Sequence, residues 1–574
     1  MIRAILIAAA VPFLMGAKAP ETVDYRMALQ PGAAGRPGLL AVEIRLRGDA
    51  DGETRLALPD DYGAKTDAWR FISDLKVRGA SMAEDGPAAR VLRHRPGAKL
   101  TVSYRVQTAY EADPHWRGGL TYQGAVIRPD WFAFFGDIVF VLPEDRERQP
   151  ATFRWGRMPK GWTVASDLDH GAQGQPLTVA DVRESVAIGG AQVRVATRPI
   201  PGGTLRVASL PDRPIRLDAL ADQVAATVTA QRAFWGDGGG PYFVGVIPLV
   251  RDGTSKVMGG IGRSDGFALW STPDEPEFVR WTVAHENMHT WIPRRVGRIA
   301  REQRGGGVYW FTEGFADFFT NRAMLKAGAW SVDDVVDRQA AVLQAYDANP
   351  ARVAAGDRVK AEFFTSSDVQ RLPYQRGQLL AMKWDEEIRR KTGGKADLST
   401  ALRHMHRHYQ QFAPDQGPDV VTGLVSAVWV VAGLDIRSDI ARYADGGAPI
   451  ELPEEMFGGC LLARVTVSPA FDAGFDTAAS FASKTVKGVR RRGPAWNSGV
   501  RDGMRLDAWT FNAGDMSRQI ELVVRPPKMS SRAKPRKIAY WPYGDADTRT
   551  RRLELSPELT RDQRADCGRR MAGI

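Results

Sequence analysis

The chain has 574 residues, of which 44% are hydrophobic and 25% charged, and its formal net charge is +11. This composition excludes an intrinsically disordered chain, and the length exceeds what one hydrophobic core normally serves, so about two to four domains are expected. Basic residues are scattered except in the last third, where runs such as Arg490-Arg491-Arg492 lack interleaved aromatic residues. That pattern argues against a nucleic-acid surface.

The first 19 residues have the pattern of a secretory signal peptide. Arg3 supplies the positive start, residues 4–16 form an apolar stretch too short to cross a bilayer, and Ala17-Lys18-Ala19 resembles a cleavage site. An uncleaved anchor is the alternative. No later stretch is apolar enough for a transmembrane helix. The sequence therefore predicts an exported protein, periplasmic or secreted.

Residues 20–207 show the two-residue period of β-strands. Apolar and polar side chains alternate over residues 42–46 and again over residues 100–106. Residues 131–142 form a more continuous apolar run, which predicts a strand buried on both faces. Turn signals such as residues 48–52 separate the strands. We predict an all-β, sandwich-like accessory domain.

Residues 208–455 have a mainly helical pattern. Pro276 at the first position of one helix and Gly393-Gly394 after the end of another are signals of helix boundaries. The predicted helices are Leu217 to Trp235, Pro276 to Ile292, Glu313 to Lys326, and one from near Tyr374 to Lys391.

Short strands return in residues 456–574, where residues 520–524 and 537–541 alternate. We predict a small third domain of mixed type. Cys460 and Cys567 are the two cysteines of the chain. In an oxidising compartment they could bridge, but the sequence leaves their pairing open.

The most specific signal is the motif His285-Glu286-Asn287-Met288-His289. Residues four apart on a helix share a face, so both imidazoles can reach one cation. Glu286 is then placed to take a proton from a water that the metal activates. Because the chain has only eight histidines, a chance match is uncommon. The motif predicts one zinc ion per chain, and two histidines packed in a core are the alternative.

Glu313 is the natural third ligand, because catalytic zinc sites commonly combine two histidines with one carboxylate and keep a position open. Gly314, next to it, would let its helix approach the metal closely. Asp317 lies four residues later on the same face. We predict that Asp317 accepts the free ring N–H of His285, with a solvated helix acid as the alternative.

Two segments resemble the glycyl aminopeptidase family of thermolysin-like zinc metallopeptidases (gluzincins). They are WTVAHENMHTWIPRR at residues 281–295 and YWFTEGFADFF at residues 309–319. More distantly, they are similar to the aminopeptidase N and leukotriene hydrolase group. The resemblance covers most of the chain and includes FDAGFDTAAS and GPAWNSGVRDGM, which are similar to the family's degenerate PDZ segment.

The resemblance implies a multidomain α+β protein. Its parts are a signal peptide at 1–19, a β-sandwich-like N-terminal domain at 20–207, a thermolysin-like, mainly helical catalytic domain at 208–455, and a PDZ-like domain at 456–574.

The resemblance also assigns two further parts of the site. Residues 372–377 are similar to the family's tyrosine-x-lysine-glycine motif, so Tyr374 would stabilise the oxyanion, and a buried core tyrosine is the alternative. The family's glycine-rich strand corresponds to Gly259, Gly260 and Gly262. There, the glutamate that binds the α-ammonium group of the substrate is replaced by Gly262.

Without that glutamate, a free N-terminus loses its charge partner, and Arg263 beside it would repel an ammonium group. Asp265 could substitute if the strand bends. Strict aminopeptidase activity is therefore doubtful, although the backbone of the strand can still pair with an extended peptide.

A second histidine group, His404, His406 and His408, has no accompanying acid or third ligand. We predict an exposed helix face there and no metal site.

The sequence thus predicts an exported zinc metallopeptidase that acts on peptides. A non-catalytic peptide-binding protein on a peptidase scaffold and a hydrolase of other substrates are the two alternatives. Neither residue preference nor oligomeric state is specified by the sequence.

Overall fold

The computed structural model describes residues 21–32, 36–62, 65–112, 124–210, 216–248, 258–263, 265–271, 276–300, 303, 306–412, 416–511, 513–516, 518–526 and 534–573. The predicted signal peptide lies outside the described residues. The chain divides into two compact units, residues 1–298 with 408–417 and residues 299–407 with 418–574. Each unit is described by itself.

Among its described residues, the first unit is rich in strands and has three α-helices. Its strands are β1 (Val23–Gln30), β2 (Leu39–Arg47), β3 (Glu53–Ala57), β4 (Asp61–Tyr62), β5 (Lys65–Thr66), β6 (Ile72–Arg78), β7 (Ser81–Glu84), β8 (Ala89–Arg93), β9 (Lys99–Val106), β10 (Val126–Ile127), β11 (Trp131–Phe135), β12 (Leu142–Pro143), β13 (Pro150–Trp155), β14 (Thr163–Ser166), β15 (Leu177–Thr178), β16 (Val186–Gly190), β17 (Arg194–Ile200), β18 (Gly203–Ser209), β19 (Tyr242–Pro248), β20 (Met258–Arg263) and β21 (Gly266–Ser271). Its helices are α1 (Val179–Arg183), α2 (Leu217–Trp235) and α3 (Pro276–Met288).

Three sheets of this unit contribute to one hydrophobic cluster. Their strand orders are β15-β13-β1-β2-β9-β6, β10-β11-β16-β14 and β12-β3-β8-β7. The predicted alternation is confirmed, because β2 buries Val42, Ile44 and Leu46 and β9 buries every second residue. This is the pattern of sheets with one face on a core.

The apolar run at residues 131–142 is only partly a strand. β11 is buried along its whole length, as predicted, but it ends at Phe135 and a 3-10 turn follows. A Cβ atom at Gly136 would lie 2.0 Å from the carbonyl oxygen of Val182. Only glycine fits so close to another backbone, and an apolar run alone does not reveal that approach.

The fourth large sheet of this unit carries the elements next to the histidine motif. Its order is β17-β18-β19-β21-β20, with β18, β19 and β21 parallel and β20 antiparallel at the edge. Its residues share a second hydrophobic cluster with α2 and α3, so both helices pack on this sheet. The helical prediction for this region missed β19 and β21, which are short and almost wholly buried.

Two buried titratable groups of the first unit, Asp167 and His170, change the stability with pH in opposite directions. Burial raises the pKa of Asp167 to about 7, although N–H groups of Val186 and Leu168 donate to it. Burial lowers the pKa of His170 to about 4. The contribution of Asp167 to stability is therefore full below pH 4 and is lost as the pH rises through 7. The contribution of His170 is full above pH 6.5 and is lost as the pH falls through 4.

We expect Asp167→Asn to gain stability relative to the wild type as the pH rises from 5 to 7.5. The limit is about 1.4 kcal/mol per pH unit, the value for one proton. Urea unfolding at both pH values measures this difference. Asp435→Asn, at an exposed carboxyl whose pKa lies at about 2 because Arg437 donates to it, is the control and should give no trend. An equal offset of Asp167→Asn at both pH values would contradict the assignment.

The second unit is mainly helical. Its elements are α4 (Tyr309–Lys326), α5 (Val332–Ala348), α6 (Gly356–Glu362), α7 (Ser367–Thr392), α8 (Leu398–Tyr409), α9 (Val420–Ala432), α10 (Arg437–Asp439), β22 (Glu455–Met456), β23 (Leu461–Phe471), α11 (Thr477–Ser483), α12 (Pro494–Asn497), β24 (Arg505–Thr510), β25 (Ile520–Arg525), β26 (Arg536–Tyr540), β27 (Tyr543–Leu555) and α13 (Arg561–Met571).

The predicted start of one helix is wrong. α4 spans Tyr309–Lys326 and carries Glu313 through Lys326, as predicted, whereas α7 begins at Ser367, well before Tyr374. In α7 the side chain of Ser366 accepts a hydrogen bond from the N–H of Val369, which caps the helix, and Pro373 lies inside it. The serine cap sets the start of the helix.

The C-terminal part of the second unit has two three-stranded sheets, β22-β23-β27 and β24-β25-β26. Strands β25 and β26 confirm the predicted alternation. Cys460 and Cys567 form a disulfide, which answers the question that the sequence left open. The predicted domain boundaries and the PDZ-like character of this part stay predictions. Among the described residues, no helix has both the length and the apolar character needed to cross a membrane.

Candidate metal centre

The orientation of α3 is set by buried contacts with α2. The side-chain amide of Gln231 donates to the carbonyl of Ala284 at 2.7 Å and accepts from Asn287 at 2.8 Å. Trp235 also stacks on Trp291, with ring centroids 6.0 Å apart. Buried hydrogen bonds between two elements restrict the movement of one element relative to the other. The rotation of α3 about its axis is therefore fixed.

The imidazole rings of the motif lie close together and nearly perpendicular to each other. His285 Nε2 and His289 Nε2 are 3.2 Å apart. His289 Nδ1 lies 2.9 Å from the carbonyl oxygen of Ile292; it must carry the proton to donate there, which leaves Nε2 as a lone-pair donor for a metal.

His285, His289 and Glu313 form a group that can hold a metal ion. One ligand atom from each side chain lies within 4.8 Å of the others. With zinc–nitrogen bonds of about 2.0–2.1 Å, a tetrahedral site separates two nitrogens by about 3.3 Å. The observed 3.2 Å between the Nε2 atoms matches that spacing, so the donor set fits zinc. No second group of this kind occurs in the part of the chain that the structure describes.

The glycines of β20 bring this strand against α3. A Cβ at Gly260 would lie 2.5 Å from the carboxyl carbon of Glu286, and one at Gly262 would lie 2.4 Å from the Cβ of His289. A Cβ at Gly259 would instead meet the indole of Trp270 at 2.3 Å. Since no side chain fits at Gly260 or Gly262, the backbone of β20 runs directly beside the motif.

The prediction that Arg263 repels an ammonium group at the site is wrong. Successive side chains of a strand point to opposite faces, so Arg263 points away from the face that Gly262 presents to His289. Its guanidinium makes two hydrogen bonds to Asp137, at 2.9 and 3.3 Å, and lies over the ring of Phe135. Its charge is thus neutralised within the N-terminal sheets.

Asp265 is also engaged. Arg295 donates to Asp265 at 2.6 Å and also pairs with Asp237, to which the indole N–H of Trp291 donates at 3.0 Å. Although burial acts to raise it, Arg295 and these donors hold the pKa of Asp237 below its ordinary value. The network anchors the turn after α3, and sequence reasoning missed it because its members lie far apart in the chain.

In the second unit, α4 carries Glu313 and crosses α7 at two glycines. A Cβ at Gly314 would lie 2.3 Å from the Cα of Gly377, and one at Gly377 would lie 1.8 Å from the carbonyl oxygen of Trp310. The close approach that we predicted for Gly314 is therefore to α7. The hydroxyl of Thr312 donates to Glu313 at 3.0 Å and helps to orient the carboxylate.

Asp317 is buried on α4, which excludes a solvated helix acid. Its Oδ2 accepts a hydrogen bond from Gln378 Nε2 at 2.8 Å. Sequence reasoning missed Gln378, which follows the glycine of the tyrosine motif directly. The predicted bond from His285 to Asp317 stays a prediction.

Tyr374 is half-buried on α7, and its two following neighbours are fixed. Gln375 accepts from Asn349 at 2.9 Å, and Arg376, which occupies the lysine position of the motif, donates to the carbonyl of Arg352 at 3.0 Å. The phenol therefore extends from a firmly held turn of α7.

The second histidine group is not the uniformly exposed face that was predicted. On α8, His406 is buried, whereas His408 is exposed and packs its ring against Phe412. The hydrophobic face of α8 includes His406, and the alternation of histidine with other residues did not indicate this.

Comparison with known proteins supports the fold. No protein-family model matches the chain, and no curated protein matches it. Among solved structures, the crystal structure of an aminopeptidase N family protein from Idiomarina loihiensis is similar, with a TM-score of 0.61 and 14% identity over 96% of this chain and 100% of that chain. At this identity the likeness shows the fold alone, which is similar to that of the aminopeptidase N family protein.

Proposed function

We propose that the protein is a zinc metallopeptidase that resembles the glycyl aminopeptidase family without its amine-binding glutamate, with one zinc ion held by His285, His289 and Glu313. The observation that carries the proposal is the grouping of these three ligands on a scaffold that resembles an aminopeptidase N family protein. Zinc, when bound, would polarise the scissile carbonyl and lower the pKa of a water.

Glu286 has the role of general base. It follows the first ligand directly and lies in the same glycine-lined space as the imidazoles, because Gly260 leaves room for its carboxylate. It accepts a proton from the attacking water, whose oxygen bonds to the carbonyl carbon. The C–N bond then breaks, and Glu286 returns the proton to the leaving nitrogen.

Tyr374 has the role of oxyanion donor. Its hydroxyl would donate a hydrogen bond to the oxygen that gains charge as the carbonyl becomes tetrahedral, and the fixed turn around it limits the cost of reorganisation. Asp317 has the role of orienting His285. Both roles rest on the resemblance and on the positions of these residues on α7 and α4.

The proposal has two further parts. The protein is exported by means of its N-terminal signal, and its C-terminal part is PDZ-like. The disulfide between Cys460 and Cys567 is consistent with an oxidising compartment. Peptides are the proposed substrates, and no nucleic-acid partner is proposed.

The test measures zinc content and peptide hydrolysis on one purified sample. We expect one zinc per chain, loss of hydrolysis on chelation, and recovery on addition of zinc. Bound zinc without hydrolysis of any peptide would favour a peptide-binding protein. Hydrolysis restricted to other substrates would favour the non-peptide hydrolase.

Gly262→Ala is expected to weaken zinc binding by about 10- to 100-fold, the range for changes that reorient a ligating imidazole. The added Cβ would lie 2.4 Å from that of His289, so the imidazole must move. Competition with a chelator measures the affinity. Gly238→Ala is the matched control, because a Cβ there meets nothing within 4 Å. Unchanged zinc affinity in Gly262→Ala would contradict the assigned ligand geometry.

A further inference from the structure

Strand β20 has properties that bear on which peptides are cut. It lies at the edge of the β17-β18-β19-β21-β20 sheet, so one side of its backbone has no strand partner among the described residues. Its other side is paired with β21 through six consecutive residue pairs. An edge of this kind can accept an extended peptide as an additional strand, held by main-chain hydrogen bonds.

One face of this edge strand lies directly beside the motif. Gly260 lies against Glu286 and Gly262 lies against His289. A peptide paired with β20 would therefore pass the general base and one zinc ligand along its length. Main-chain pairing does not depend on where the peptide begins.

Among the described residues, no side chain of β20 itself offers a negative charge to an ammonium group, and the carboxylate beside Gly260 is that of Glu286, which has the role of general base. Gly259, Gly260 and Gly262 have no side chains, and at Gly262 even a Cβ would collide with His289, so no acidic side chain fits there. The charged residues that follow are occupied, since Arg263 is paired with Asp137 and Asp265 with Arg295. Moving an ammonium group out of water without giving it a charged or hydrogen-bonding partner is strongly disfavoured.

We propose that this site binds extended peptides through the backbone of β20 and cleaves internal bonds, with no requirement for a free α-amino group. The inference rests on the proposed peptidase function and specifies its substrate class. Its structural basis is the strand whose glycines Gly260 and Gly262 lie against Glu286 and His289, together with the pairing of Arg263 with Asp137 and of Asp265 with Arg295.

The test uses the zinc-loaded full chain and a set of ten-residue peptides of mixed sequence. Each peptide is offered with a free amine and as its N-acetylated form, and cut positions and rates are determined by mass spectrometry. We expect internal cuts, with kcat/KM values for the two forms within about threefold of each other. A site that binds the ammonium through a charge would disfavour the acetylated form by at least about thirtyfold.

A preference of that size for free peptides, or cuts confined to the first bond, would overturn the inference and leave the proposed function intact. Absence of any zinc-dependent cut in either set would instead refute the proposed function. Asp265→Asn is a second arm. Because Asp265 is bound by Arg295, we expect the ratio of the two kcat/KM values to stay unchanged, and a shift of tenfold or more would identify Asp265 as an amine anchor and overturn the inference.

Discussion

Glu286→Gln is expected to lower kcat by about 10²- to 10⁴-fold, the usual contribution of a positioned general base. Glutamine has nearly the shape of glutamate, so the space left by Gly260 still accommodates it. It cannot accept a proton, so the water is no longer activated. Because residue 286 is not a proposed ligand, the zinc content should remain at one per chain. Steady-state hydrolysis and metal analysis on the same preparation measure both quantities.

The control is Glu362→Gln, which removes an exposed carboxylate of α6 that pairs with Arg358 within the same helix. Pairs of this kind contribute little to stability, so wild-type hydrolysis is expected. If Glu286→Gln retains hydrolysis within a few-fold of the wild type, Glu286 is not the base. If it loses zinc as well, the loss of turnover says nothing about proton transfer and the role must be reassigned to metal binding.

Gly377→Ala is expected to lower the free energy of unfolding by about 3 kcal/mol or more, at or beyond the upper end for overpacked sites. The added Cβ would lie 1.8 Å from the carbonyl oxygen of Trp310 and 2.7 Å from the Cα of Gly314. Both atoms belong to the backbone of α4, so the helices must separate. This movement would shift Glu313 on α4 relative to Tyr374 on α7. Urea unfolding measures the stability, and hydrolysis by the folded fraction measures the catalytic cost.

Gly356→Ala, at the first residue of α6, is the matched control because a Cβ there would make only ordinary contacts, the closest at 3.4 Å. It should unfold like the wild type. Gly314→Ala is a second variant of the same crossing, with its Cβ 2.3 Å from the Cα of Gly377. Once one glycine has forced the helices apart, the second substitution should cost less, so the double variant should be less destabilised than the sum of the two. Wild-type stability of Gly377→Ala would show that the crossing is looser than the structure has it.

The two variants test different requirements of the proposed site. Glu286→Gln changes the chemistry while the framework stays intact, whereas Gly377→Ala changes the framework while every functional group stays present. A site that depends on both should lose turnover in each case, with stability affected only in the second.

The sequence by itself determined the residues that can bind a metal. The spacing of His285 and His289 is a local property of a helix, and a helical period with proline at its start is readable without a structure. The alternation of β2 and β9 was readable for the same reason, because burial on one face of a sheet imposes a two-residue period. The start of α7 was not predicted, because the helix begins at the cap of Ser366 and continues through Pro373.

The tertiary structure decided what surrounds those residues. Three contacts join residues that no local pattern relates. They are the ion pair of Arg263 with Asp137, the packing of Gly262 against His289, and the crossing of the helices at Gly314 and Gly377. Backbone approach and charge pairing depend on how strands and helices pack together. A glycine or an arginine in a sequence therefore does not reveal which residues it will contact. The sequence therefore determined the chemistry that is available, and the packing determined which groups are free to use it.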